Sequence, residues 1–219
     1  MEGGDKNVIK AVLFDMDGVL AFTEGFYNRR RIQFLRRAGV DVDPAFDGTG
    51  SNDGEIWERL VPGDAAMRER LHREYRVYSD AHPTPWAEVA NPQARPVFSA
   101  LKEDGLKVAI CSSSYRSLID EFMEQVGVTG LVDLAISGEE CSAYKPDPDI
   151  YLRAMAALEI GSHEALVVED SPLGIEAGVA AGALTCALVP PVGVELDQSR
   201  AHLRVRRLVD IVDLVQASA

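Results

Sequence analysis

The chain has 219 residues, 47% of them hydrophobic, and a net charge of −13. That length supports one large domain, or a core domain with a smaller insert. The charge argues against non-specific nucleic-acid binding and disfavours attraction to anionic membranes. No apolar run is long enough to span a bilayer, and the opening Met-Glu-Gly-Gly-Asp-Lys lacks the pattern of a secretory signal. Cys111, Cys141 and Cys186 show neither metal spacing nor a disulfide framework, so a reducing cytoplasm is the expected location.

The first element is the apolar run over residues 8–14, which reads as a buried strand and ends in Asp15-Met16-Asp17-Gly18. Buried charge is costly without a partner, so two carboxylates there point to a metal ion or to a substrate needing an attacking carboxylate and a proton carrier. Asp and Gly are also ordinary turn residues, so the motif alone is equally a strand terminus.

Residues 22–87 are rich in charge and aromatics at helical spacing. Phe26, Arg30, Phe34 and Arg37 mark a helix ended by Gly39. Ile56, Leu60, Met67, Leu71, Tyr75 and Tyr78 mark helical structure further on. Pro44, Pro62-Gly63 and Pro83-Thr84-Pro85 punctuate this part. From about residue 88, helices and short apolar strands alternate. Helices are expected over 92–103, 115–126, 148–158, 172–181 and about 205–215. Strands are expected over 106–111, 132–136, 165–168 and 184–189. That alternation implies a parallel sheet covered on both faces, with ligands bound beyond the carboxyl ends of its strands.

Polar residues follow those strands as the rule demands. Ser112-Ser113-Ser114 follows the second, Lys145-Pro146 lies one loop after the third, and Glu169-Asp170 follows the fourth. Asp15, Asp17 and Asp170 in one crevice would repel one another without a cation. An all-oxygen ligand set suits Mg²⁺, with Glu169 a further ligand or an orienting group. Glu169-Asp170-Ser171-Pro172 also reads as a helix start. Ser112 to Ser114 precede a helix, where hydroxyls and free N–H groups make an anion site or a plain N-cap. Pro146 and Pro148 follow Lys145 and stiffen its loop, so its ammonium is expected to be fixed. Such a set allows a carboxylate to attack phosphorus, with Mg²⁺ and Lys145 offsetting the charge repulsion and Ser112 holding an oxygen. Asp17 would move the proton, which requires it to be protonated at the moment of attack.

Together, Asp15-Met16-Asp17-Gly18-Val19-Leu20, Cys111-Ser112-Ser113-Ser114, Lys145-Pro146-Asp147-Pro148 and Glu169-Asp170-Ser171-Pro172-Leu173-Gly174 resemble the haloacid dehalogenase superfamily in order and spacing. The run from Ala177 to Ala183 agrees. The resemblance is closest to the branch of β-phosphoglucomutase and the small sugar-phosphate phosphatases. It implies a three-layer α/β/α Rossmann-like core over 1–21 and 88–219, with a helical cap over 22–87. By that resemblance Asp15 is the nucleophile and Asp17 the general acid/base. The metal is Mg²⁺, held by Asp15, Asp170 and the Asp17 backbone carbonyl, with Glu169 beside them, and Ser112, Ser113 and Lys145 hold the phosphate. The substrate is then a small phosphorylated metabolite, and the activity a phosphatase or, alternatively, a phosphomutase.

The chain also departs from that branch, in the cap and after the second motif. Tyr27 stands where the mutase has a histidine, Asn52 lies in the segment where it has an arginine, and Arg116 replaces an asparagine. Arg73, Arg76 and Arg116 are candidates to read the rest of the substrate. Haloacid dehalogenation is disfavoured by Asp17. Hinges are expected near residues 20–23 and 83–89, with the cap opening and closing between them.

Overall fold

The computed structural model describes residues 8–49, 51 and 53–217, which divide into two compact units. One ends at Phe22 and resumes at Trp86; the other is Thr23–Pro85.

The first unit is built on a six-stranded sheet. Its strands are β1 Ala11–Phe14, β2 Lys107–Ser112, β3 Leu134–Ser137, β4 Ala165–Glu169, β5 Leu184–Leu188 and β6 Leu203–Val205. All neighbours pair in parallel, in the order β3-β2-β1-β4-β5-β6. The helices of this unit are α4 Trp86–Val89, α5 Ala94–Glu103, α6 Arg116–Val126, α7 Asp149–Ala157, α8 Pro172–Ala180 and α9 Asp210–Ala217. Those of the second unit are α1 Glu24–Arg37, α2 Asp53–Leu60 and α3 Ala65–Asp80. None of the described helices is long and apolar enough to cross a membrane.

Successive side chains of a strand point to opposite faces, and here both faces are covered, so the strands are apolar throughout. Val12, Phe14, Val108, Ile110, Leu166 and Val168 join one core with residues of α5, α6 and α9. Ala11, Leu13, Ala109, Cys111, Ala165 and Val167 join the other with residues of α7 and α8. The helical unit has its own core around Phe34, Leu35, Trp57, Leu71 and Tyr75.

The chain leaves β1 towards β2 and β3 on one side and returns to β4, β5 and β6 on the other, so the topology switches between β1 and β4. A crevice opens there, because the crossovers on either side lead away in opposite directions. Asp15 ends β1 and Glu169-Asp170 ends β4, and the Asp15 N–H donates to Val168 O at 2.9 Å across this junction.

One expectation is corrected. Residues 205–215 are not a single helix: Val205 closes the edge strand β6, and α9 starts at Asp210, whose carboxylate accepts the Arg207 N–H at 3.2 Å. A three-residue strand is too short to show alternation in sequence, and its pairing with β5 is supplied by tertiary structure.

Candidate active site

Gly18 shapes the loop that follows β1. Its φ of +89° is one that L side chains rarely adopt, and a Cβ added there would run into the Asp170 carboxylate. The turn folds back so that Leu20 N and Ala21 N both donate to Met16 O at 2.9 Å. Asn91 holds the returning chain, its Nδ2 donating to Val19 O at 2.9 Å. Opposite this loop, Ser171 caps α8 by accepting the Gly174 N–H at 3.0 Å, with Pro172 in the first turn. Gly174 lets α8 approach, since a Cβ there would strike the Glu169 carboxylate.

Lys145 lies at the centre. Its Nζ donates to Asp15 Oδ1 at 2.5 Å, to Glu169 Oε1 at 2.6 Å and to Cys111 O at 2.9 Å, which uses all three ammonium donors. Both carboxylate partners and the lysine are buried. Burial alone would lower the lysine, but Asp15 and Glu169 outweigh it and hold it charged, above its ordinary value.

Glu169 is saturated in turn. Oε1 also accepts from the Tyr151 hydroxyl at 2.7 Å, and Oε2 accepts from Asp170 N at 3.2 Å and Ser171 Oγ at 3.4 Å. Its geometry is that of an anchor for Lys145. Tyr151 is fully buried on α7, and its hydroxyl is pushed well above the usual tyrosine range by burial and by the Glu169 and Asp15 charges, so it stays a donor.

Asp15, Glu169 and Asp170 each offer an oxygen, all within 4.8 Å of one another. The Asp15 carboxyl is pushed well above its ordinary value by burial; Lys145 opposes this, and Glu169 and Asp17 add to it. Three clustered carboxylates beside one ammonium leave the site short of positive charge. A divalent cation fits that deficit, and an all-oxygen donor set fits Mg²⁺.

The Asp17 carboxylate is turned to the serine loop instead. Its Oδ2 accepts from Ser114 Oγ at 2.6 Å and from Ser112 Oγ at 3.4 Å, while Ser112 Oγ accepts the Ser114 N–H at 3.0 Å. Asp15, Asp17, Ser112, Lys145, Glu169 and Asp170 are thus brought together within one unit. Ser113 is exposed beside them.

Of the other candidates, Arg116 starts α6 with its guanidinium bound to Asp120 at 2.9 Å, Ala135 O at 3.1 Å and Glu140 at 3.4 Å. Tyr27 is buried on α1 of the helical unit, while Arg73 and Arg76 are exposed on α3. Asn52 lies outside the described residues.

Tyr151 and Gln198 are neighbours of the site that sequence reasoning did not single out. Gln198 Nε2 donates to Asp170 O and to Leu188 O, each at 2.8 Å, tying the loop after β4 to the end of β5. Ser114 was visible as part of the serine run. Nothing local marks Tyr151 or Gln198, because each acts through a contact distant in sequence. Cys111 is inert by position, its thiol pushed up to about 12 chiefly by burial.

A family model described as haloacid dehalogenase-like hydrolase matches residues 9–182. Validoxylamine A 7'-phosphate phosphatase of Streptomyces hygroscopicus subsp. limoneus is 30% identical over 176 residues, 79% of this chain and 82% of its own. Protein SUPPRESSOR OF QUENCHING 1, chloroplastic, of Arabidopsis thaliana is 30% identical over 190 residues, 81% of this chain; the chain spans 17% of that relative's length. Among solved structures, β-phosphoglucomutase from Clostridium difficile shares the fold at a TM-score of 0.77 and 20% identity, with 96% of each chain covered.

Proposed function

The chain belongs to the haloacid dehalogenase-like hydrolases, and from that premise we propose that it is a Mg²⁺-dependent phosphatase acting on a small, sugar-type phosphate monoester in the cytoplasm. The observation that carries this reading is the buried group of Asp15, Glu169 and Asp170 at the sheet's switch point, with Lys145 bonded to the first two. Similarity to a phosphatase of a phosphorylated metabolite supports the substrate class, and three free thiols support the location.

Asp15 is the nucleophile. Lys145 holds its Oδ1, which leaves Oδ2 to attack phosphorus and form an aspartyl-phosphate. Asp17 is the general acid/base: it gives a proton to the leaving alcohol and takes one from the water that resolves the intermediate. Ser112 and Ser113, with Ser114, offer hydroxyl and backbone donors to the phosphoryl oxygens. Asp15, Asp170 and the Asp17 backbone carbonyl would hold Mg²⁺, with Glu169 orienting Lys145. Bound there, the metal would neutralise phosphate charge and lower the proton affinity of Asp15. The helical unit is the cap that selects the alcohol, through Tyr27, Asn52, Arg73 and Arg76, with Arg116 contributed by the core.

The test is phosphate release from a panel of phosphorylated metabolites with Mg²⁺, with Asp15→Asn as control. Release by wild type and none by the variant is expected; equal rates would sink the reading. Activity that survives exhaustive chelation would refute the metal assignment. Conversion of β-glucose 1-phosphate to glucose 6-phosphate with a trace of the 1,6-bisphosphate, without free phosphate, would assign a phosphomutase instead.

A further inference from the structure

The helical unit Thr23–Pro85 contains a cavity of about 180 Å³ lined by Phe26, Arg29, Arg30, Gln33, His82 and Pro83. Four of these, Phe26, Arg29, Arg30 and Gln33, follow an i, i+3, i+4, i+7 pattern, so helix geometry puts them on one face of α1. Two guanidinium groups, an imidazole and a carboxamide therefore meet, and no carboxylate of the described residues lines the space.

Arg30 makes this more than a basic surface. It is only 7% exposed. Its Nε donates to Tyr75 Oη at 3.0 Å and its Nη1 to His82 O at 2.8 Å, so two of its five N–H donors are used and their direction is fixed. The guanidinium carbon lies 5.1 Å from the ring centroids of Phe26 and Tyr27 and 5.6 Å from that of Tyr75. Among the described residues no carboxylate pairs with Arg30, whereas the adjacent Arg31 pairs with Asp53 at 3.2 Å. Aromatic faces relieve part of the cost of a buried cation, but a buried charge ordinarily has a counter-charge.

His82 presents the complementary edge. Its Nδ1 lies 2.8 Å from Tyr78 O, and a carbonyl only accepts, so Nδ1 carries a hydrogen. The ring is fixed by stacking on Tyr78 at 3.9 Å and 19°. Nε2 is then available to a ligand, accepting from a protonated oxyanion or donating when the ring is charged.

We propose that this cavity binds a phosphate-class oxyanion, either free orthophosphate or the phosphoryl end of a small metabolite. Arg29 and Arg30 would supply planar donor pairs matched to such oxygens. The volume is below the roughly 300 Å³ at which drug-sized ligand pockets begin, and it suits a single tetrahedral anion. The unit carries ten arginines and no lysine between Thr23 and Pro85. The site stands independently of the reaction assigned to Asp15.

The experiment is a titration of the full chain with inorganic phosphate, free of divalent metal, followed by the His82 imidazole resonances, with His82→Gln to assign them. Wild type should show a saturable shift. Arg29→Gln changes an exposed residue and should leave the thermal melt unchanged while weakening phosphate by about tenfold. Glucose 6-phosphate shifting the same signal at lower concentration than phosphate would identify the metabolite as the source; the reverse order would identify the free ion. No saturable shift, an equal shift with chloride at matched ionic strength, or an Arg29→Gln titration identical to wild type would overturn the proposal. Phosphate release from monoesters, measured on the same samples, reports the Asp15 reading separately.

Discussion

Tyr151→Phe isolates a contact on which the geometry of Lys145 depends. The substitution removes one oxygen from a fully buried ring and leaves the packing of α7 intact. What is lost is the 2.7 Å hydrogen bond to Glu169 Oε1. Glu169 keeps Lys145, Asp170 N and Ser171 Oγ as partners, so its charge stays compensated and the loss is that of one bond to a charged group, about 1.5–3 kcal/mol. For a chain of this size each kcal/mol lowers Tm by about 2–4 °C, so a fall of roughly 3–12 °C is expected. Because the hydroxyl is held well above the usual tyrosine range by burial and by the nearby Glu169 and Asp15 charges, it remains a donor at neutral and mildly alkaline pH. The destabilisation should therefore be constant with pH there. Thermal melting gives the stability, and steady-state kinetics give the second readout: kcat falls as Lys145 loosens while KM changes little. Tyr144→Phe, at an exposed ring, is the matched control and should change neither. A Tyr151→Phe protein melting within about 0.5 kcal/mol of wild type, with unchanged kcat, would refute the argument that Tyr151 fixes the lysine through Glu169.

Gly18→Ala should lower stability by about 1–3 kcal/mol through its positive φ and, by displacing Asp170, abolish the rise in Tm expected when Mg²⁺ is added to wild type; a Mg²⁺ response equal in the two proteins would contradict the close approach. Lys145→Met leaves Asp15 and Glu169 facing each other without a cation, and chemical denaturation should show a loss of about 3–5 kcal/mol. Asp133 accepts from Lys102 Nζ at 2.7 and 2.6 Å and from Val108 N at 2.7 Å. Burial raises its carboxyl, but those partners outweigh burial and hold it below the ordinary aspartate value. A depressed carboxyl stabilises the fold above its unfolded pKa of about 3.9 and loses that contribution as pH falls through its folded value. The stability gap between wild type and Asp133→Asn should thus be constant near neutrality and close below about pH 3.9; a gap that persists in stronger acid would contradict the assignment.

The parallel sheet was legible because strands buried on both faces are apolar throughout, and the runs at β1, β2, β4 and β5 stand out for that reason. The polar residues behind them were legible too, since each lies at a strand end: Asp15 and Asp17, Ser112 to Ser114, Glu169 and Asp170. Less legible was the edge of the sheet. β6 is three residues long, and residues 205–215 read as one helix because no alternation fits in so short a run. In the helical unit, Arg30 registered only as a mark of helical period. Its burial beneath aromatic rings, with no carboxylate partner among the described residues, depends on Tyr75 and His82, which are remote in sequence.

By itself the sequence determined which groups are present and which strand ends carry them, because hydrophobic periodicity and turn residues act locally. It also determined the ordered set of motifs that places the chain in its family. Tertiary structure alone decided how those groups divide the work. The switch point lies between β1 and β4, so Asp15 meets Asp170 there while the Asp17 carboxylate turns to Ser114. Lys145 is fixed less by its neighbouring prolines than by Asp15, Glu169 and Cys111 O, and Glu169 by Tyr151. The reason is physical: a hydrogen bond in a buried site depends on distances of a few tenths of an ångström between residues far apart in sequence, and only the packing of α7 and α8 on the sheet sets those distances.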